Sequence, residues 1–203
     1  MSAGTAGTIL AGGHSRRMGQ DKSHLPFGGT TLLAWVIQRV ALACRPVIVV
    51  ARVASDYPDC GATVVGDQWP DAGPLGGLYT GLSTVEDAWA VVVACDLPFV
   101  EPALLAGLTG LAPGWDAVVP VISGRLQPLC AVYHRAVAQT AETMLRRGDR
   151  SMRQLLSQPG LRVRQVSEQE LRVWDPELRS FTNINTPEDY ERARDMLTRS
   201  APA

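Results

Sequence analysis

An α/β domain built on a mostly parallel central sheet is the fold class that this 203-residue sequence predicts, and three observations predict it. Wholly apolar runs of strand length recur, among them PVIVVA (46–51) and WAVVVACD (89–96), as a sheet covered on both faces requires. Stretches with apolar residues three and four apart, the signature of one buried helix face, lie between them. The two kinds of segment alternate along the chain, which is the order that joins parallel strands through crossover helices.

The elements follow in order. Thr8–Leu10 opens a short strand that breaks into glycines. Leu32, Leu33, Val36, Ile37 and Val40 then mark one face of a helix. PVIVVA and the shorter ATVVG (62–66) are strands, and DAGPLGGLYTGLS (71–83) carries Leu75, Leu78, Tyr79 and Leu82 at helical spacing. After WAVVVACD, a helix is expected around Glu101–Leu111. DAVVPV (116–121) and PLCAVY (128–133) are further strands, and HRAVAQTAETMLRR (134–147) is an amphipathic helix stopped by Gly148. LRVRQV (161–166) alternates apolar and polar residues, as a half-exposed strand near an edge does. Thr186 caps a last helix that starts at Pro187, with Glu188 and Asp189 in the acid-favouring first turn, and runs to about Arg199.

Composition narrows the function. With 46% hydrophobic residues the chain can bury one sizeable core, and one domain over residues 1–203 is expected. The net charge is −1, and acidic and basic residues are dispersed, which argues against wholesale binding to nucleic acid or an anionic membrane. Cys44, Cys60, Cys95 and Cys130 have no C-x-x-C spacing and no histidine cluster beside them; free thiols in a reducing compartment are expected rather than zinc or disulfides. The first residues do not read as a basic segment followed by an apolar one and a cleavage site, and no run approaches the roughly 20 apolar residues of a membrane span, so the expected location is the cytoplasm.

One loop stands apart. TILAGGHSRRMGQDK (8–22) leaves a strand at its carboxyl end, the edge where open α/β sheets bind ligands. Gly12 and Gly13 let backbone N–H groups approach an anion, and Ser15, Arg16, Arg17 and Lys22 add a hydroxyl and three cations, the set that a polyphosphate needs. Neither G-x-x-x-x-G-K-[ST] nor G-x-G-x-x-G is present. Lys22 is the chain's single lysine against 18 arginines; a flexible point charge follows moving phosphate oxygens better than a planar fork. As a loop residue, Lys22 is expected to be exposed and to contribute little to stability.

Asp96 directly follows the apolar strand, so its carboxylate emerges near the same sheet edge. It could cap the following helix or hold a hard cation beside a triphosphate. Asp67 likewise ends a strand, and the glycines of GPLGG (73–77) would let a base or ribose approach closely. Asn183 and Asn185 point to the same side of an extended segment and serve either an acceptor or metal, or the turn before Thr186. Arg125 and Gln127 either meet an acceptor or are solvated.

LAGGHSRRMGQDK (10–22) resembles the L-A-G-G-x-S-x-R-M-G-x-D-K signature of nucleotidyltransferases, and of molybdenum cofactor guanylyltransferases in particular. CDLPF (95–99) is similar to that family's C-D-x-P-[FY] metal motif, and GPLGG, RLQPLCAVY and FTNINTPEDY extend the likeness to about residue 190. The resemblance implies a single three-layer, Rossmann-like domain of the nucleotide-diphospho-sugar transferase type. It implies that Leu10, Ala11 and Gly12 contact a guanine nucleotide through the backbone, that Gly13 and Arg17 lie along the triphosphate, that Lys22 holds its phosphates, that Asp67 contacts the nucleotide, and that Asp96 binds Mg²⁺. The implied substrates are GTP and molybdenum-molybdopterin, with transient contacts to cofactor-delivery and acceptor molybdoenzyme proteins. A cytidylyltransferase for the same cofactor, a sugar-phosphate nucleotidylyltransferase and a non-catalytic nucleotide-binding regulator are the alternatives. One departure stands out: relatives often carry an asparagine after the second strand, where this chain reads VVARVA (49–54).

Overall fold

The computed structural model describes residues 4–11 and 21–200. In chain order the elements are β1 (Ala6–Ala11), a hairpin of β2 (Pro26–Phe27) and β3 (Thr30–Thr31), α1 (Leu32–Val40), β4 (Val47–Ala51), β5 (Thr63–Gly66), α2 (Pro74–Thr84), β6 (Trp89–Ala94) and α3 (Pro102–Gly110). There follow β7 (Ala117–Ile122), β8 (Arg125–Leu126), β9 (Cys130–His134), α4 (Val137–Arg146), α5 (Met152–Leu155), β10 (Val163–Val166), α6 (Glu168–Leu171) and α7 (Pro187–Ser200).

The main sheet runs β10-β7-β9-β6-β1-β4-β5, with β8 paired to β7. β1 pairs in parallel with both β4 and β6, β4 with β5, and β7 with β10. β9 alone in that path is antiparallel, to β6 on one side and β7 on the other. It is buried over Cys130–Tyr133, so its apolar run looks the same in either direction. A tight turn with Ser123 and Gly124 at positive φ brings β8 back along β7, and this return reverses the next strand.

Alternate strand residues face opposite layers. Val91 and Val93 of β6 pack with Leu33, Val36 and Ile37 of α1 and Leu104 and Leu105 of α3, whereas Ala90 and Val92 pack with α2, α4 and α5. Helices therefore cover both faces, and the architecture is three-layered. α2 sits especially close to the sheet. A Cβ on Gly81 would stand 2.3 Å from Thr8 Cγ2, one on Gly77 3.2 Å from Leu10, and one on Gly76 2.4 Å from the Trp69 carbonyl oxygen. These three glycines seat the helix on β1 and the preceding loop, a packing role beside the ligand role expected for GPLGG.

β10 is an edge strand, as its alternation predicts. α4 starts three residues later than expected, because His134 completes β9 and packs edge-on against Trp89. α7 closes a smaller third core in which Ile184 and Ala193 meet Phe27, Leu32 and Phe99, so the chain's end folds back over the segment that follows the glycine-arginine loop.

Candidate active site

From β1 the chain moves outward to β4 and β5 on one side and then crosses to β6 on the other, which makes the β1/β6 boundary the switch point where open α/β sheets form a crevice. The carboxyl ends of β6, β1, β4 and β5 lie side by side there and floor a cleft of about 540 Å³.

Lys22 and Asp96 meet at this switch point. Lys22 Nζ donates to the Ile184 carbonyl oxygen at 2.8 Å and to Asn185 Oδ1 at 2.9 Å, and lies 3.7 Å from Asp96 Oδ2. The Lys22 side chain is only 14% exposed and that of Asp96 21%, which corrects the expectation of an exposed, energetically idle lysine. Its loop position misled, because the partners come from the chain's last quarter. The Ile184 N–H in turn donates to the Asp96 carbonyl oxygen at 3.0 Å, so one short segment is clasped from both sides. Burial holds the pKa of the Asp96 carboxyl above the ordinary value, and the charge of Lys22 offsets only part of that rise. Asp96 does not cap the next helix: α3 begins after Glu101, whose N–H is met by Ser180 Oγ.

Asp21 flanks the pair. Its carboxylate accepts the Ser23 N–H at 2.9 Å and the Tyr57 hydroxyl; burial acts to raise its pKa, and these hydrogen bonds outweigh that and hold it below the ordinary value. The Tyr57 phenol is pushed up by burial and by Asp21, and His24 stacks on its ring. Asp67 Oδ1 accepts from the Trp69 N–H and from Thr80 Oγ1, each at 2.9 Å, which ties the end of β5 to α2 while Asp67 still borders the cleft.

Of the residues singled out from sequence, Leu10, Ala11, Lys22, Asp67, Asp96 and Asn185 line the cleft. The Leu10 carbonyl is already taken by the Cys95 N–H at 3.1 Å. Gly12, Gly13, Ser15, Arg16 and Arg17 lie outside the described residues. Asn183, Arg125 and Gln127 are not among the lining residues; Gln127 turns its amide to the Arg125 carbonyl. Trp69 packs on the second core. Arg52, Tyr57 and Asp71 also line the cleft and were missed. Arg52 could have been found by the rule that found Asp96, since it directly follows an apolar strand.

Among the described residues no three His, Cys, Asp or Glu side chains converge as a metal cage. Mg²⁺ needs no such cage: it is commonly held by one or two carboxylates together with substrate phosphates. A half-buried carboxylate at a strand end, with a lysine as its counter-charge, fits that mode. No disulfide joins the four cysteines, and burial pushes the Cys44 and Cys130 thiols up to about 12, so neither is reactive.

Residues 7–165 match the model of the MobA-like NTP transferase domain. The chain is 36% identical over 189 residues to the molybdenum cofactor guanylyltransferase of Desulfosudis oleivorans, covering 92% of this chain and 93% of that one. Among solved structures, the molybdopterin-guanine dinucleotide biosynthesis protein A of Archaeoglobus fulgidus superposes with a TM-score of 0.84 at 29% identity, over 96% of this chain and 100% of that one. The 2-C-methyl-D-erythritol 4-phosphate cytidylyltransferase of Thermus thermophilus shares the fold, with a TM-score of 0.74 at 21% identity over 96% and 99% of the two chains.

Proposed function

Because this chain belongs to the family of the MobA-like NTP transferase domain, we propose that its cleft transfers GMP from GTP to the terminal phosphate of molybdenum-molybdopterin, yielding the guanine dinucleotide form of that cofactor and pyrophosphate. The observation that carries this reading is the pairing of Lys22 with Asp96 at the switch point of the sheet, one cation for phosphates and one carboxylate for a divalent ion.

An oxygen of the acceptor phosphate attacks the α-phosphorus of GTP, the new P–O bond forms opposite the departing pyrophosphate, and the bond between the α-phosphorus and the bridging oxygen breaks. The acceptor is already an anion, so no strong base is required; positioning and electrostatics carry the rate. Mg²⁺, when bound, offsets charge on the phosphate oxygens, and Asp96 is the residue that would hold it. Lys22 faces the same space and offsets charge on the leaving group, while Asn185 and the Ile184 carbonyl hold its ammonium in place. In this reading Arg17 and the N–H groups around Gly12 and Gly13 complete the phosphate contacts, Leu10 and Ala11 border the nucleoside, and Asp67 reaches the nucleotide from the end of β5.

The whole chain acts as one domain in this proposal. The segment beyond residue 165 supports that, since it supplies Asn185 to the cleft. The proposed location is the cytoplasm, supported by four cysteines outside any disulfide, which suits a reducing compartment; among the described residues no helix is long and apolar enough to cross a membrane. The substrate would arrive from a delivery protein and the product pass to a molybdoenzyme by transient contact.

The test is incubation with each nucleoside triphosphate, Mg²⁺ and molybdenum-loaded molybdopterin, followed by mass analysis. A GMP adduct with pyrophosphate is expected. A CMP adduct would overturn the guanylyl assignment, and no pyrophosphate with any nucleotide would overturn transferase activity in favour of a nucleotide-binding regulator.

A further inference from the structure

We propose that Arg52 and Asp71 together form the base-reading edge of the cleft and select guanine. The inference rests on the guanylyl-transfer reading and adds residues that the signature motifs do not include. Arg52 Nη1 and Asp71 Oδ1 pair at 3.1 Å, and both line the cleft. Arg52 follows β4, and Asp71 lies in the connection from β5 to α2. Asp96 follows β6, which is separated from β4 by β1. Strands lie about 4.8 Å apart, so the β4 end stands ~10 Å from the β6 end. A nucleotide whose phosphates sit at Lys22 and Asp96 therefore carries its base toward Arg52 and Asp71.

The surroundings suit a planar ring. Pro70 and Pro74 contribute flat apolar walls, and Gly77 lines the cleft without a side chain. The Arg150 guanidinium donates to the Asp71 carbonyl oxygen at 2.7 Å and holds that residue in position from the α4–α5 connection. Two other carboxylates of the cleft carry hydrogen bonds of their own, Asp21 with Tyr57 and Ser23 and Asp67 Oδ1 with Trp69 and Thr80. The Arg52–Asp71 pair is half exposed or more, at 50% and 69%, and a pair so placed contributes little to folding.

The chemistry distinguishes the bases. A carboxylate is acceptor-only, and a guanidinium is donor-only with five N–H groups. Guanine offers N1–H and the N2 amine as neighbouring donors for Asp71, and O6 and N7 as acceptors for Arg52, the pairing that makes arginine the commonest guanine reader. Adenine presents a donor where guanine has O6, and cytosine has no second ring to span the pair. Arg52, in a stretch that carries no asparagine, thus gives this chain its own means of reading the base.

The test is calorimetric binding of GTP, ITP and XTP in the presence of Mg²⁺ to the full-length wild type, Arg52→Ala and Asp71→Asn, with melting of each protein as a folding control. Inosine lacks only the N2 amine, so the wild type should prefer GTP to ITP by roughly tenfold or more, the scale of one charge-assisted hydrogen bond. Asp71→Asn should abolish that preference and favour XTP, whose 2-carbonyl accepts from the new amide. Arg52→Ala should weaken GTP and ITP alike, because both present O6 and N7. Melting temperatures should be unchanged. Equal affinity of the wild type for GTP and ITP, or an Asp71→Asn variant with wild-type selectivity, would overturn the assignment. A protein that shows the expected selectivity yet forms no GMP adduct refutes the transferase reading alone; one that forms the adduct while Asp71→Asn selects as the wild type does and Arg52→Ala binds GTP as tightly as the wild type refutes this inference alone.

Discussion

Replacing Lys22 with methionine tests the clasp between the two ends of the chain. Methionine keeps most of the aliphatic stem and removes the ammonium, so the hydrogen bonds to the Ile184 carbonyl and to Asn185 are lost. A hydrogen bond from a charged donor is worth about 1.5–3 kcal/mol net, and more is lost when the abandoned acceptor is shielded from water. Asn185 is exposed and can turn to solvent, so the Ile184 carbonyl, beside the fully buried Ile184 side chain, dominates and the loss is about 2 kcal/mol. In a chain of this size each kcal/mol lowers Tm by about 2–4 °C, which puts Lys22→Met about 4–8 °C below the wild type. The assay is thermal melting without nucleotide or metal, for the wild type, Lys22→Met, Asn185→Ala and the double variant. Asn185→Ala should cost less than Lys22→Met, and the two losses should combine to less than their sum because they share one bond. A Lys22→Met protein melting within about 1 °C of the wild type would refute the reasoning, as would strictly additive losses. In the transfer assay the same variant should lose about 10²- to 10³-fold in kcat, the scale of one preorganised charge-stabilising group.

Asp96→Asn should fold normally and lose most Mg²⁺-dependent turnover, since an amide is a poorer ligand for a hard cation; near wild-type rates across a Mg²⁺ titration would exclude Asp96 as the metal ligand. Gly76→Ala should destabilise by about 1–3 kcal/mol in denaturant unfolding, although alanine favours helix by about 1 kcal/mol, because the new Cβ would stand 2.4 Å from the Trp69 carbonyl oxygen; a stabilised variant would refute the close seating of α2. Asp189 accepts the Asn185 and Thr186 N–H groups, each at 3.0 Å, and the first of these bonds is the main cause that holds its pKa below 3.8. A depressed carboxylate stabilises above its unfolded pKa and loses that contribution as pH falls through the folded value. Asp189→Asn should therefore melt below the wild type near neutral pH, by an amount typical of a helix cap at about 1 kcal/mol or less, and the gap should close below pH 3.8; a gap that stays constant into acid would rule the cap out.

What the sequence determined by itself was local. Val91, Val92 and Val93 lie in an unbroken apolar run, and that suffices for a strand buried on both faces; Leu32 to Val40 repeat at helical spacing and form α1; Thr186 caps α7 through its hydroxyl. A strand-end rule placed Asp96 at the ligand edge because side chains leaving parallel strands emerge at one rim. Tertiary structure decided whatever depends on which distant residues meet. β9 runs antiparallel because of the Ser123–Gly124 turn before it, and no apolar run encodes its own direction. The glycines of GPLGG look like ligand room in sequence, yet only Gly73 and Gly77 line the cleft, while Gly76 is closed off by the Trp69 carbonyl oxygen. Lys22 looks like solvated charge because its partners lie 162 and 163 residues away, and Arg52 acquires a partner in Asp71 only when β4 and β5 pair. Periodicity and turn chemistry act over a few residues and can be read from one segment, whereas a hydrogen bond or ion pair between remote segments exists only once the sheet has brought their strand ends to a common edge.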